Sequence, residues 1–272
     1  MTTLVIGKNS SIGKSIGRSP LFRNLVIFDR KRLGETMSSK KNFRNFLEIE
    51  NITNIIYLMV EREVDSTANY KKNEINYLYP LQIWDALQER PDISLIWVSS
   101  IFANDNLLVA KHPYLEAQNM AHKDIMESRT RTSAFYSRIS FSQIYGSSDF
   151  VRHQPFLYSI KKAIGDSQDI QLLNGKRTKR NFINISDVCT VLADSKNWIM
   201  NPNVSCVSNQ NTNWWEIAES FKQFYKSKSV ITDFEDENKF DNRQYSTKGF
   251  EDISSNYSLK DLCSVIREGA FS

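Results

Sequence analysis

Apolar runs of strand length alternate with stretches of helical period through the first half of the chain. TLVIG (3–7), NLVIFD (24–29), NIIYLMV (54–60) and ISLIWVSS (93–100) are close to continuously apolar, and SAFYSRIS (133–140) follows as a more polar fifth run. A strand of that kind cannot leave one side in water. Between the runs, NFRNFLEIE (42–50), NEINYLYPLQIWDALQE (73–89) and YLEAQNMAHKDIMES (114–128) repeat apolar residues at three- and four-residue spacing, which predicts helices. Strands buried on both faces and joined through helices require a parallel sheet covered on each side. The expected class is therefore α/β, with a doubly wound parallel sheet.

Past Gly146 the alternation becomes irregular. QPFLYSIKKAIG (154–165), DVCTVLADSKNWI (187–199), NWWEIAESFKQFYK (213–226) and SLKDLCSVIREG (258–269) read as helices, the last behind a serine cap. IQLLN (170–174) and RNFINIS (180–186) read as short strands. Two domains are expected: residues 1–146 as a core, and residues 147–272 mainly as a smaller lobe, with some of its strands or helices free to return to the core.

The chain has 35 basic and 31 acidic residues among 272, a net charge of +4. So small and scattered an excess leaves no footprint for nucleic acid. Cys189, Cys206 and Cys263 stand too far apart for a CxxC site or a disulfide framework, and His112, His122 and His153 lack ligand spacing. No metal is expected, and the cysteine usage suits a reducing cytoplasm. No apolar run reaches the length of a membrane span.

The stretch LVIGKNSSIGKSIG (4–17) runs from strand through a small-residue turn into a helix. Glycines at such a turn let the backbone approach a pyrophosphate, which rests on the helix N-terminus. Gly7, Ser10, Ser11, Ile12 and Gly13 are the candidate cradle, with the Ser10 hydroxyl available as a further donor. Asp29 closes the second strand, where an acidic residue receives the ribose 2′-hydroxyl of NAD. Arg30 follows it, with Lys31 and Arg32, and would instead meet the 2′-phosphate of NADP. NAD is the expected cofactor and NADP the alternative.

Four stretches in order, VIGKNSSIG, LIWVSS, PYLEAQ and RISFSQIYG, resemble the extended short-chain dehydrogenase/reductases of the NAD-dependent epimerase/dehydratase family, which act on nucleotide sugars. RNFINISDVC resembles the family's R-[DN]-[FY]-[IV]-x-[VI]-x-D-[VL] segment. Together the stretches span about residues 3–195. The resemblance implies a Rossmann-type core and a C-terminal substrate-binding lobe, with room for a homodimer. It makes Tyr114 the group that exchanges a proton with a sugar hydroxyl or carbonyl, and Ser100 the hydroxyl that bonds the same oxygen. It assigns Arg180 to the substrate diphosphate, for which a guanidinium fork is suited. Asp187 is expected to cap the helix that follows it.

The departure is Gln118. The family pattern is Y-x-x-x-K, one helical turn apart, so that an ammonium lowers the tyrosine pKa and holds the nicotinamide ribose. Gln118 stands in the lysine's place and cannot carry a charge, so the Tyr114 pKa is expected to stay high. Tyr158 and Lys162 repeat the spacing in the lobe and are read as a decoy. The resemblance thus implies an NAD(P)-dependent oxidoreductase or epimerase of a nucleotide-linked keto-hexose. Loss of the lysine keeps open a dinucleotide-binding redox sensor or partner-binding module without turnover.

Overall fold

The computed structural model describes residues 2–62, 73–104, 109, 112–129, 134–237 and 250–271. Two compact units share the chain: residues 1–140, 189–205 and 246–251 in the first, and 141–188, 206–245 and 252–272 in the second. Strands β1 (Thr2–Ile6), β2 (Leu25–Phe28), β3 (Ile52–Tyr57), β4 (Ser94–Ser100) and β5 (Phe135–Phe141) are followed by β6 (Gln143–Tyr145), β7 (Ile170–Leu173) and β8 (Lys179–Asn184). β9 (Asn203–Cys206), β10 (Asn211–Asn213), β11 (Ile231–Phe234) and β12 (Glu251–Asp252) complete the set.

The first unit is built on a seven-stranded sheet in the order β12-β9-β5-β4-β3-β1-β2. β2, β1, β3 and β4 run parallel, with Ile6 level with Phe28 on one side and Tyr57 on the other. The fold class is α/β, as the apolar runs require. From β1 the chain steps to β2 on one side, then passes through helices Arg30–Thr36 and Lys40–Ile49 to β3 on the other. The reversal opens a crevice at the carboxyl ends of β1 and β3, the place where such sheets take ligands. Leu4, Ile6, Phe28, Ile55, Tyr57, Leu95 and Trp97 of these strands, with Phe43, Leu47, Ile83 and Trp84 of the helices, form its core. Each fully buried large apolar side chain contributes about 1.5–3 kcal/mol.

Helix Pro113–Arg129 starts on a proline, whose missing N–H costs nothing there. Its buried stripe Leu115, Gln118, His122, Ile125 mixes apolar and polar side chains, so the polar ones need partners inside. His122 Nδ1 pairs with the Tyr136 hydroxyl at 2.7 Å. Burial and the adjacent Arg138 charge push the His122 pKa down to about 3, from an ordinary 6.5. The unfolded chain therefore binds a proton below pH 6.5 that the native protein refuses. Stability attributable to His122 is level above that pH and falls as the pH drops towards 3, by about 2 kcal/mol at pH 5. Urea unfolding between pH 7 and pH 4 should show this slope in the native protein and lose most of it in His122→Gln.

The second unit holds a three-stranded sheet, β10-β8-β6, and a parallel pair, β11-β7. Its core joins Tyr145, Leu157, Ile160, Phe182, Trp214, Phe221, Val265 and Phe271. Asn213 and Glu216 close a reciprocal capping box on helix Trp214–Tyr225. Two capping expectations are corrected. Asp261, not a serine, caps the last helix, Leu262–Arg267. Asp187 lies inside helix Ile185–Ala193 and accepts the Lys260 N–H at 2.8 Å, while Asn184 accepts from Ser186 at the helix start. Cys189, Cys206 and Cys263 are free and buried, and burial raises the first two thiols to about 11 and about 12. No helix among the described residues is long and apolar enough to cross a membrane, and none of these residues form a metal-holding cluster.

Candidate active site

The turn after β1 closes on itself. Gly7 N–H and Lys8 N–H both donate to the Phe28 carbonyl at 2.9 Å, holding the turn against the end of β2. The Gly7 carbonyl accepts the Ser10 N–H at 3.0 Å and the Ser10 hydroxyl at 2.8 Å. Ser10 Oγ in turn accepts the Gly13 N–H at 2.9 Å and so caps helix Ser11–Arg18. Its hydroxyl proton, expected to be free for phosphate, is spent on Gly7. Ser11 and Ile12 form the start of the helix, its electropositive end.

Two glycines are required here for different reasons. Gly7 has φ +122°, and a Cβ on it would lie 3.0 Å from Leu58 Cβ, where the chain leaves β3. A Cβ on Gly13 would fall 2.3 Å from the Gly7 carbonyl oxygen. The absence of a Cβ at both positions lets the turn lie close against the strand ends, as an approach of backbone to a dinucleotide pyrophosphate requires.

Asp29 sits half-buried one residue beyond β2 and caps helix Arg30–Thr36, its Oδ1 accepting the Arg32 N–H at 2.9 Å. Arg30 is drawn away to Glu61 at 3.3 Å and Glu74 at 3.0 Å, and the Glu74 bond raises its pKa further. Arg32 lies over the Phe28 ring at 4.6 Å. Neither arginine stands as an uncommitted cation beside Asp29.

Tyr114 is half-buried at the start of helix Pro113–Arg129, with the His112 ring 5.9 Å away. Its pKa is raised by burial, and the Arg62 charge opposes the rise. Gln118, one turn on, is only 1% exposed. Its Nε2 donates to Asn76 Oδ1 at 3.4 Å, and its Oε1 accepts from the Ser99 hydroxyl at 3.5 Å. Ser100 ends β4, and its Oγ accepts the Phe102 N–H at 3.3 Å, which leaves its proton for another acceptor. Arg62, Asn76 and Ser99 were not singled out from sequence. They come from three separate segments, and no spacing rule joins them to Tyr114.

Arg180 belongs to the second unit. It lies on β8, 7% exposed, donates to the Lys179 carbonyl at 2.9 Å and stands 5.9 Å from the Trp214 ring. Tyr158 donates to the Ser147 carbonyl at 2.9 Å, which gives the decoy tyrosine a structural role. A cavity of about 400 Å³ in the same unit is lined by Gly146, Asn184, Ser186, Lys260 and Glu268, without Arg180. In the first unit, a cavity of about 260 Å³ lies among Thr3, Arg23, Asn54 and Ile96, nearer the strand starts than the glycine turn.

No family model and no curated protein matches the chain. Solved structures do. ADP-L-glycero-D-manno-heptose-6-epimerase of Helicobacter pylori is similar over 98% of this chain and 94% of its own, at 12% identity and a TM-score of 0.71. dTDP-glucose 4,6-dehydratase of Bacillus anthracis, in complex with NAD, is similar over 99% and 95%, at 13% identity and a TM-score of 0.69. dTDP-4-dehydrorhamnose reductase of the same organism, in complex with NADP, is similar over 98% of each chain, at 14% identity and a TM-score of 0.67. At such identities the likeness is one of fold: this chain shares the α/β Rossmann-type architecture of these proteins along nearly its whole length.

Proposed function

We propose that the protein is an NAD-dependent oxidoreductase or epimerase of a nucleotide-linked keto-hexose, with reduction or epimerisation at a keto-sugar carbon as the reaction. One observation carries the reading: Ser99 at the end of β4 donates to Gln118 in the helix of Tyr114, so the segments WVSS and PYLEAQ meet in one site. The glycine turn at the crevice supports the cofactor, and the three neighbours named above, a heptose epimerase, a dehydratase and a reductase, support the substrate class. A soluble cytoplasmic enzyme, as a homodimer, belongs to the same reading.

Bound NAD supplies hydride acceptance and return. The chain's own residues do the rest. The Ser11–Ile12 helix start and the Gly7 turn hold the pyrophosphate, and Asp29 keeps Oδ2 for the ribose 2′-hydroxyl. Ser100, its Oγ already accepting from Phe102, donates its proton to the sugar oxygen. Tyr114 exchanges a proton with that oxygen as hydride leaves or arrives. In the second unit the reading assigns the substrate diphosphate to Arg180.

NAD is favoured over NADP because Arg30 and Arg32 are committed and Asp29 repels a 2′-phosphate. Asp29→Ala should weaken NAD by about 1–3 kcal/mol, the worth of a charge-assisted hydrogen bond, and narrow the gap to NADP. Calorimetry in which the native protein binds NADP more tightly than NAD would reverse the cofactor assignment.

The second reading, a dinucleotide-binding sensor or partner module without turnover, is favoured by Gln118, whose amide is buried and committed where a cation would otherwise stand. The fate of NADH separates the two. Loss of NADH absorbance only on addition of a keto-sugar nucleotide supports the enzyme. Binding of NAD without turnover across a panel of such sugars supports the module.

A further inference from the structure

The main sheet ends in two unlike edges. On one side stands β12, only two residues long, with Glu251 and Asp252 both exposed. Shortness and charge of that kind blunt an edge against further pairing. On the other side stands β2, reading LVIF, with no charge or proline within it and no slip in its register against β1. Among the described residues no strand pairs with its outer side. The bonds to β1 fix which backbone groups face outward. The Asn24 and Phe28 carbonyls accept the Thr3 and Gly7 N–H at 2.9 Å each, so the even-numbered residues of β2 turn to β1. That alternation leaves the N–H and C=O of Leu25 and Ile27 pointing away from the sheet.

We propose that β2 pairs antiparallel with β2 of a second copy of this chain, with Val26 on the twofold axis. The outward groups select that register. Leu25 of one copy stands opposite Ile27 of the other, and each such pair exchanges both of its N–H···O=C bonds. The side chains agree. Val26 meets its own copy on the face of β2 that packs against the core, and Leu25 meets Ile27 on the face over Gly17. The same register sets Arg23 opposite Asp29 at both ends of the pairing, whereas a slip of two residues would oppose Arg23 to Ile27 or to Lys31. Arg23 is exposed, and Asp29 gives one oxygen to the Arg32 N–H while Arg30 beside it is matched by Glu61 and Glu74. A carboxylate accepts from several donors, so the ion pair is compatible with the ribose hydroxyl assigned to Asp29. A twofold pairing uses the open edge of both copies and leaves only the blunted ones, so it closes as a dimer and builds no filament. It needs neither cofactor nor turnover and is independent of the functional reading.

The 272-residue chain without ligand tests it. Sedimentation velocity should find a dimer that dissociates on dilution. Amide hydrogen exchange read by NMR should slow at Leu25 and Ile27 as the concentration rises, while Val26 and Phe28, whose N–H groups face β1, stay protected throughout. Leu25→Pro removes an outward N–H at the first residue of the strand and no bond to β1, so it should fold as the native chain does and stay monomeric. Arg23→Asp should weaken the dimer by about tenfold, because exposed attractions become repulsions at both ends. Adding Asp29→Arg to that variant should restore the dimer. The exchange pattern and the charge variants keep the test decisive if the proline variant unfolds. A protein that is monomeric at every concentration overturns the proposal. So does a dimer whose Leu25 and Ile27 amides exchange independently of concentration, or one that Arg23→Asp leaves intact, since such a dimer is joined through another surface.

Discussion

Tyr114→Phe removes one oxygen from a half-buried ring and should lower kcat/KM by about 10²–10⁴-fold, the usual worth of a positioned acid/base. NAD affinity should hardly change, since the phenol ring stays in place and the glycine turn is untouched. The raised pKa of Tyr114, above its ordinary 10, gives the pH dependence a sign in each direction. Oxidation of a sugar alcohol needs the tyrosinate, so its rate should climb through neutral and alkaline pH. Reduction of a keto-sugar needs the phenol, so its rate should be level to about pH 10 and then fall. Steady-state rates in both directions, native against Tyr114→Phe, check this. Full activity in the phenylalanine variant would remove Tyr114 from the mechanism.

Gly13→Ala should be nearly as damaging, by a different route. The new methyl would lie 2.3 Å from the Gly7 carbonyl oxygen and 3.0 Å from Ser10 Oγ. Something must move, and the nearest atom is a backbone oxygen. Overpacking of this kind costs about 1–3 kcal/mol, and displacing the Ser10 cap costs about 1 kcal/mol more. Because the distortion falls on the cradle, NAD affinity should drop by about 10–100-fold, each factor of ten being 1.4 kcal/mol. Gly17→Ala is the matched control. Its nearest neighbour is Ile27 Cδ1 at 3.4 Å, and the position is helical, so the methyl should be tolerated and add a few tenths of a kcal/mol or more. Thermal unfolding and NAD titration of the two variants separate a glycine needed for space from one that is not. Equal behaviour of both would mean that the turn adapts and the cradle argument fails.

The contrast between these glycines marks the limit of spacing as a guide. The motif predicts a strand, a turn and a helix from residues 4 to 17, and that unit is present. Spacing does not tell which glycine touches what. It also put Ser10 forward as a phosphate donor, whereas the hydroxyl is absorbed by Gly7 at 2.8 Å and Gly13 at 2.9 Å. Arg30 and Asp187 behaved likewise: each has the right chemistry, and each is taken by a partner far away in sequence, Glu74 and Lys260.

What the sequence determined by itself is whatever follows from local period. The apolar runs specify β1 to β4 because a continuous run leaves no polar alternation to confuse with helix, although β2, at the sheet edge, buries only Phe28 fully. The expected helix over 73–89 survives as a wider π-helical turn, Glu74–Leu78, continued by Tyr79–Leu87. Tertiary structure alone decided the rest. β9, reading Asn203–Cys206, is too short and polar to stand out, yet it lies between β5 and β12 inside the main sheet. Its strand state comes from backbone bonds to neighbours distant in sequence, which no local pattern records. The same holds for the site. Gln118 was legible as a missing charge, but Asn76 and Ser99 become its partners only where β4, the Glu74–Leu78 turn and the Tyr114 helix converge. Local period is a property of neighbours along the chain, whereas an electrostatic site is a property of neighbours in space.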